Sequence, residues 1–150
     1  MLKIIRVSKI EFYTDGAFSA IRNAGGIGVV VVIDGKKVYE YSHTYYDTTN
    51  NKCELLAVIT ALNSISKPVE SVTIYSDSQY VIMCAQGKWK RKANLELWET
   101  YDKVFAKAQK FCTNIEYTWV KGHSKASDDF NENMNKIADK LAVEASHVLR

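Results

Sequence analysis

The pattern of hydrophobic and polar positions changes its period along the chain, from two in the first third to helical spacing in most of the rest. Alternating apolar residues predict a first strand over residues 10–14, and the unbroken apolar run 28–33 predicts a second strand that is buried on both faces. A third strand, over 36–45, follows Asp34 and Gly35, a pair typical of a two-residue hairpin turn because both positions need a positive φ. The chain is therefore predicted to begin with three antiparallel strands.

The remaining two thirds of the chain alternate between helical and strand patterns. Helical spacing predicts four helices, over 51–64, from about 77, over 95–111 and over 134–148, and β-branched and aromatic runs predict strands over 72–75 and 115–120. The order β-β-β-α-β-α-α-β-α predicts an α/β fold, with a mixed five-stranded sheet of three antiparallel and then two parallel strands, flanked by helices. In such sheets, functional residues gather where strands end and helices begin.

Composition limits the class of protein. With 150 residues and 47% hydrophobic content, the chain has the size of one domain, and we expect a single domain over 1–150. No apolar run is long enough for a membrane span or a signal-peptide core, so we expect a cytoplasmic location. Cys53, Cys84 and Cys112 form no C-x-x-C pair, which predicts buried thiols in a reducing compartment rather than disulfides or a zinc site.

The net charge of +3 is small, but basic residues are concentrated around Trp89 in the segment KWKRK, residues 88–92. A basic cluster around an aromatic side chain can bind a phosphate backbone and pack against a sugar or base. The alternative interpretation is a solvated loop.

Four carboxylates draw attention by their positions. Asp15 and Asp77 each end a predicted strand, Glu54 lies one turn into the first helix, and Asp139 lies on the last helix. Each also has an ordinary structural interpretation: Asp77 as a helix N-cap, Glu54 as half of a capping box with Asn51, and Asp139 as a surface residue. Considered singly, none of the four indicates a catalytic site.

Considered together, the segments YTDGA, TTNNKCELLAVITAL, YSDSQYV, WVKGHS and NKIADKLA resemble the type 1 ribonuclease H family, in order and along almost the whole chain. YTDGA alone is a weak motif, whereas the blocks together are very specific. The resemblance implies the ribonuclease H-like fold, in a compact variant that lacks the basic-protrusion helix. It also implies Mg²⁺-dependent endonucleolytic hydrolysis of the RNA strand of RNA/DNA hybrids, leaving 5′-phosphate and 3′-hydroxyl ends.

Carried over by position, the resemblance implies that Asp15, Glu54, Asp77 and Asp139 are the metal-binding catalytic carboxylates. It implies that His123 is a catalytic histidine that shuttles protons or assists product release. Two Mg²⁺ ions about 4 Å apart can activate the attacking water and stabilise the departing oxygen. Mg²⁺ prefers carboxylate, water and phosphate oxygens, so we expect two Mg²⁺ ions with substrate, with Mn²⁺ as a substitute.

Recognition of a hybrid requires contacts to the RNA 2′-hydroxyl groups, which small polar side chains can make along a shallow minor groove. Asn51 and Gln79 have alternative structural uses in helix first turns, and Trp89 has an alternative as a core residue. The expected partner is an RNA/DNA hybrid; we expect no membrane association, no obligate protein partner and a monomer. The substrate-binding residues that the resemblance implies are Thr49, Asn50, Asn51, Gln79, Trp89 and Lys90.

The chain departs from the family pattern in the region that binds DNA. Between Asp77 and Trp98 it is shorter than the cellular bacterial members, and the segment 88–92 is expected to replace their basic protrusion in part. Asp47 stands where the family often has an arginine near the DNA phosphate pocket. The first departure predicts weaker and strongly salt-sensitive binding of substrate, and the second predicts a weaker DNA phosphate pocket.

A further departure concerns the last carboxylate. His123 and Asp139 are sixteen positions apart, several more than is usual in the family, so three other acidic residues become competing metal ligands. We assign Asp139 because it alone fits the pattern N-x-x-A-D-x-L-A. The competing residues are Asp128, Asp129 and Glu132.

Two other classes of protein remain as alternatives. One is a different enzyme on the same fold, either a DNA nuclease or the nuclease part of a polymerase polyprotein; the TTNN and SDSQYV blocks argue against a DNA nuclease. The other is a non-catalytic nucleic-acid-binding module, and candidates at all four carboxylate positions argue against it.

Overall fold

The computed structural model describes residues 7–121 and 129–148, and these form one mixed five-stranded sheet with four helices. The strands lie in the order β3-β2-β1-β4-β5; β2 pairs antiparallel with β1 and β3, and β4 pairs parallel with β1 and β5. The predicted fold and element order are confirmed. The elements are β1 (Val7–Ser19), β2 (Ala24–Ile33), β3 (Lys36–Tyr46), α1 (Asn50–Asn63), β4 (Val69–Ser76), α2 (Gln79–Ala85), α3 (Leu95–Gln109), β5 (Ile115–Trp119) and α4 (Phe130–Ser146).

The first strand is longer than predicted, and Asp15 does not end it. Antiparallel pairing with β2 carries β1 on to Ser19, whereas its parallel pairing with β4 stops where Thr14 faces Ser76. Asp77, directly after Ser76, therefore does follow the end of a strand, as predicted. The prediction that Asp15 lies at a strand end is wrong, because it is the neighbouring strand that ends beside it.

Helices cover the sheet on both faces. The larger core lies between the sheet and α1, α2 and α3, and a smaller one lies between the sheet and α4. The alternation in the sequence assigned only one face of β1 to the interior, yet Glu11 and Tyr13 on the other face are buried as well. The helix α4 packs closely there because Gly26 and Gly28 of β2 have no side chain; a Cβ on Gly28 would lie 2.9 Å from the Cβ of Leu141.

The caps of the first two helices differ from the prediction. Thr49 caps α1 with a side-chain oxygen that accepts from the Lys52 backbone N–H, so the predicted capping box of Asn51 and Glu54 is not formed. Ser78 caps α2 by accepting from the Val81 N–H at 3.2 Å, so Asp77 is not the cap. Hydroxyl side chains meet the capping requirement, which leaves both carboxylates available for another role.

The last helix begins four residues earlier than predicted. Its cap is Asp129, whose carboxylate oxygen Oδ1 accepts from the Glu132 N–H at 3.0 Å, and Phe130 is the first helical residue. The hydrophobic spacing begins only at Met134 because the first turn of α4 carries polar residues.

Three further features can be compared with the sequence: the state of the cysteines, the length and polarity of the helices, and the first hairpin turn. All three cysteines are buried free thiols, as predicted. Within the described residues, every helix is too short or too polar to cross a bilayer. The Asp34–Gly35 turn has the two positive φ angles that its sequence predicts, 48° and 85°.

Candidate active site

Four carboxylates from four different elements meet where β4 ends. Asp15 lies on β1, Glu54 one turn into α1 and Asp77 directly after β4, and one carboxylate oxygen of each lies within 4.8 Å of those of the other two. Asp139, from α4, lies beside Asp15 and helps to raise the pKa of its carboxyl. The structure therefore brings three of the four carboxylates selected from the sequence into one cluster and places the fourth, Asp139, beside Asp15.

A glycine sets the distance between the strand and the helix that supply two of these carboxylates. The backbone N–H of Gly16 donates to Oδ1 of Asp15 at 2.9 Å and also to the carboxylate of Glu54. A Cβ on Gly16 would lie 2.5 Å from the carbonyl carbon of Cys53 and 2.8 Å from the Cα of Glu54. The backbones of β1 and α1 can approach this closely only because residue 16 has no side chain.

The cluster brings acidic groups together in a place shielded from water. Asp15 is 3% exposed and Glu54 is 6% exposed. Burial and then the charge of Asp77 raise the pKa of Asp15 to about 8, although a hydrogen bond with Glu54 opposes the shift. Burial and the charges of Asp15 and Asp77 raise the pKa of Glu54 well above its ordinary value. An all-oxygen donor set fits a divalent cation, whose charge would offset the cost of ionising these carboxyls.

The raised pKa of Asp15 predicts an unusual pH dependence of stability in the metal-free protein. Its carboxyl holds a proton in the folded state up to about pH 8, whereas in the unfolded chain it loses the proton near pH 4. Between these values the folded state binds more protons, so the free energy of unfolding decreases as pH rises. We expect Tm measured in chelator to fall from pH 5 to pH 8.5. Excess Mg²⁺ should remove most of the decline, because it binds the ionised carboxylates; a Tm in chelator that rises over this range would contradict the interpretation.

All six predicted substrate-binding residues are exposed on the surface of the protein. Asn50 and Asn51 are exposed in the first turn of α1, and Gln79 is the exposed first residue of α2. Trp89 is 45% exposed, so its interpretation as a core residue is wrong; the core tryptophan is Trp98, at 1%. The other two residues are exposed as well: Thr49, which caps α1, and Lys90, in the loop after α2.

Three acidic residues compete with Asp139 for the role of the fourth metal ligand. Asp129 caps α4 with its carboxylate, and Glu132 is half-buried in the first turn of the same helix. Asp139 is the one that contacts Asp15, which favours its selection. Asp128 and the predicted catalytic His123 lie outside the described residues.

Two buried polar side chains on the α4 side of the sheet are not among the residues that sequence analysis selected. Asn135, one turn before Asp139 on α4, is 5% exposed, and its Oδ1 has no hydrogen-bond partner among the residues described. Glu11 is 7% exposed and accepts from the Tyr75 hydroxyl at 2.7 Å. The sequence did carry a signal for Asn135: it lies four positions before Asp139, and therefore on the same face of the helix. Glu11 had none, because it alternates with the apolar residues of the strand, a position where a charged side chain ordinarily faces water.

The sheet order, the flanking helices and the carboxylates at the end of β4 define the ribonuclease H-like class of folds. Solved structures agree: RNase H1 of Halobacterium salinarum is 25% identical with a TM-score of 0.72, covering 92% of this chain and 97% of that one. LC11-RNase H1, solved in complex with an RNA/DNA hybrid, is 27% identical with a TM-score of 0.72, covering 90% and 94%.

The match extends to the sequence itself. Ribonuclease H of Trichodesmium erythraeum is 34% identical, over 95% of this chain and 91% of the relative. The family model described as RNase H matches residues 7–147, and the chain belongs to the ribonuclease H family. The predictions of this family and of a ribonuclease enzyme are thereby confirmed.

Proposed function

We propose that the protein is a Mg²⁺-dependent endoribonuclease that hydrolyses the RNA strand of RNA/DNA hybrids, leaving 5′-phosphate and 3′-hydroxyl ends. The observation that carries the proposal is the all-oxygen cluster of Asp15, Glu54 and Asp77, with Asp139 beside Asp15, on a ribonuclease H fold. The hybrid bound to the structural neighbour LC11-RNase H1 supports the choice of substrate. We further infer that the chain acts as one catalytic domain and as a monomer.

The four carboxylates would hold two Mg²⁺ ions, or Mn²⁺ in their place. Such ions, when bound, activate a water molecule and stabilise the charge on the leaving oxygen. The chain prepares the ligands: the Gly16 N–H orients the carboxylates of Asp15 and Glu54, and burial keeps competing water away. His123, four positions after the last residue of β5, would carry a proton to or from the reacting groups.

Selection of RNA would come from the exposed polar groups at the starts of α1 and α2. Asn50, Asn51 and Gln79 offer amide donors and acceptors that suit a 2′-hydroxyl, which is both donor and acceptor. Thr49 would lie near a DNA phosphate, and Trp89 and Lys90 would contact the DNA strand. These side chains are solvent-accessible, as contact with a duplex requires.

A matched substrate panel tests this function. The same sequence would be supplied as RNA/DNA hybrid, RNA duplex, DNA duplex and the two single strands, each with Mg²⁺ and with chelator. We expect cleavage of the RNA strand of the hybrid only, in Mg²⁺ only, and end-labelling that shows 5′-phosphate products. Comparable cleavage of every substrate, or cleavage that survives chelation, would disprove the proposal.

Asp47 should weaken substrate binding, and its charge can be removed without disturbing the loop. It is exposed, has φ 52° and accepts from Nδ2 of Asn23 at 3.0 Å; asparagine tolerates the same φ and retains an acceptor. Asp47→Asn should lower KM for the hybrid by about two- to fivefold at low salt, with kcat unchanged. The matched control is Asp34→Asn, which removes the same charge from an exposed position of φ 48° in the turn between β2 and β3. Equal KM changes in both variants would show a general charge effect instead.

A further inference from the structure

The loop between α2 and α3, residues 86–94, carries four basic residues that do not share one environment. Lys88, Lys90 and Lys92 are exposed, as is Trp89. Arg91, between two of these lysines, is turned towards the protein, with its side chain 26% exposed. We call residues 86–94 the α2–α3 loop.

The guanidinium of Arg91 is occupied on its edge and on its face. Its Nη1 donates to both carboxylate oxygens of Asp102, on α3, at 2.9 Å each. Its central carbon lies 4.2 Å from the ring centroid of Trp98 and 5.4 Å from that of Tyr101. Its Nε donates to the backbone oxygen of Cys84, at the end of α2, at 3.4 Å. Arg91 thus ties the middle of the loop to the two helices that it connects.

The two ends of the loop are tied as well. At the start, the N–H groups of Lys88 and Trp89 donate to the backbone oxygen of Met83 at 2.9 and 3.1 Å. At the end, Asn94 Nδ2 donates to the Tyr80 hydroxyl at 3.0 Å. A nine-residue connection held at its start, middle and end has lost most of its conformational freedom before any ligand binds.

The loop ends beside the helix that carries the predicted RNA contacts. A groove of about 560 Å³ is lined by Lys52 and Leu56 of α1, and by residues 94–97 and Thr100 at the start of α3. The end of the α2–α3 loop and the first turn of α1 therefore border the same groove. The exposed lysines therefore precede, in the same loop, a residue that borders the groove beside the predicted RNA contacts.

We propose that Arg91 is a positioning residue that holds the α2–α3 loop in its binding conformation, and that the neighbouring lysines, not Arg91, contact the phosphate backbone. The proposal rests on the function proposed above. A surface that is ordered in advance binds more tightly because less entropy is lost on binding. Arginine suits the task because its planar guanidinium donates to a carboxylate from one nitrogen and to a backbone oxygen from another while its face lies on aromatic rings. The single nitrogen of lysine cannot make all three contacts at once.

Removal of Asp102 separates positioning from direct contact, because the two predict opposite signs. If Arg91 were itself a phosphate ligand, Asp102→Ala would release it and remove a negative charge, so hybrid binding would become tighter. If Arg91 positions the loop, Asp102→Ala should weaken binding by about three- to tenfold despite the lost negative charge. The matched control is Glu99→Ala, which removes an exposed carboxylate one turn earlier on α3 and should leave the Kd unchanged or slightly lower.

A charge-conserving change gives a second and independent test. Arg91→Lys keeps the positive charge but cannot contact Asp102, the Cys84 oxygen and the aromatic rings at the same time, so we expect a similar three- to tenfold increase in Kd and KM, with kcat at saturation unchanged. The slope of log Kd against log salt should stay within one unit of the parent, since the phosphate contacts of the lysines remain. Wild-type affinity in Arg91→Lys, or binding as tight as the parent in Asp102→Ala, would overturn the proposal.

The measurements can be arranged so that failure of the function and failure of the inference are distinguishable. Kd would be measured by fluorescence anisotropy of a labelled hybrid with Asp77→Asn as the parent, in Mg²⁺, and KM and kcat with the otherwise unaltered chain. Thermal unfolding would verify that each variant is folded at the assay temperature. A chain that binds but does not cleave the hybrid would refute the proposed function, while the Kd comparison among variants would still test the role of Arg91.

Discussion

An Asp15→Asn variant should lose hybrid cleavage by at least about a thousandfold and, in chelator, unfold at a higher temperature than the parent. The loss is expected because Asp15 lies in the carboxylate cluster and its amide would no longer supply a charged oxygen ligand. Charge stabilisation by a bound metal is worth several kcal/mol, and about 4 kcal/mol corresponds to a thousandfold in rate. The gain in stability is expected because the buried carboxyl, whose pKa is raised to about 8, is costly to ionise at neutral pH.

The stability gain should be about 1–3 kcal/mol at pH 8, equivalent to roughly 3–10 °C in Tm for a chain of this size. Calorimetry in chelator at pH 5 and pH 8 would measure it, and the difference between variant and parent should be smaller at pH 5. The control is Glu70→Gln, which converts an exposed carboxylate near the other end of β4 and should change neither activity nor Tm appreciably. An Asp15→Asn protein with a tenth or more of the parent activity would show that the cluster is not the catalytic site.

Replacing Gly16 with alanine should destabilise the protein by about 3 kcal/mol or more, with or without metal. The added methyl group would overlap the backbone of Cys53 and Glu54, which belong to a buried helix turn that cannot move without disturbing the core. Urea unfolding in chelator and in Mg²⁺ would give the two free energies of unfolding. We expect the variant to lose cleavage as well, since the Gly16 N–H would no longer hold both carboxylates.

The control for this variant is Gly35→Ala, in the β2–β3 turn. Gly35 has φ 85° and no atom within 4 Å of an added Cβ, so the change costs only the strain of a left-handed alanine, about 1–2 kcal/mol. A Gly16→Ala cost no larger than that of Gly35→Ala would mean that α1 can shift away from β1 without penalty. That result would contradict a site whose geometry depends on the contact between these two backbones.

The elements of the fold could be predicted because their signals are local. The positive φ required at Asp34 and Gly35 depends on two adjacent residues, and the continuous apolar run of β2 reports burial on both faces. Helix caps were predicted less well because several nearby side chains compete for the same N–H groups. Ser78 and Thr49 cap α2 and α1, and no sequence rule ranks them clearly above Asp77 and Asn51.

The sequence by itself determined the element order and the four carboxylates, since those depend on neighbouring residues and on motifs that occur in a specific order. Only the tertiary structure decided which groups meet. Packing of α4 over the second face of the sheet buries Tyr13, and the approach of α1 to β1 requires Gly16. Contact with Asp102 and Trp98 turns Arg91 away from the basic surface to which its sequence neighbours belong. These outcomes depend on residues far apart in the chain, whose distances are set by the folded backbone, and a local pattern carries no information about them.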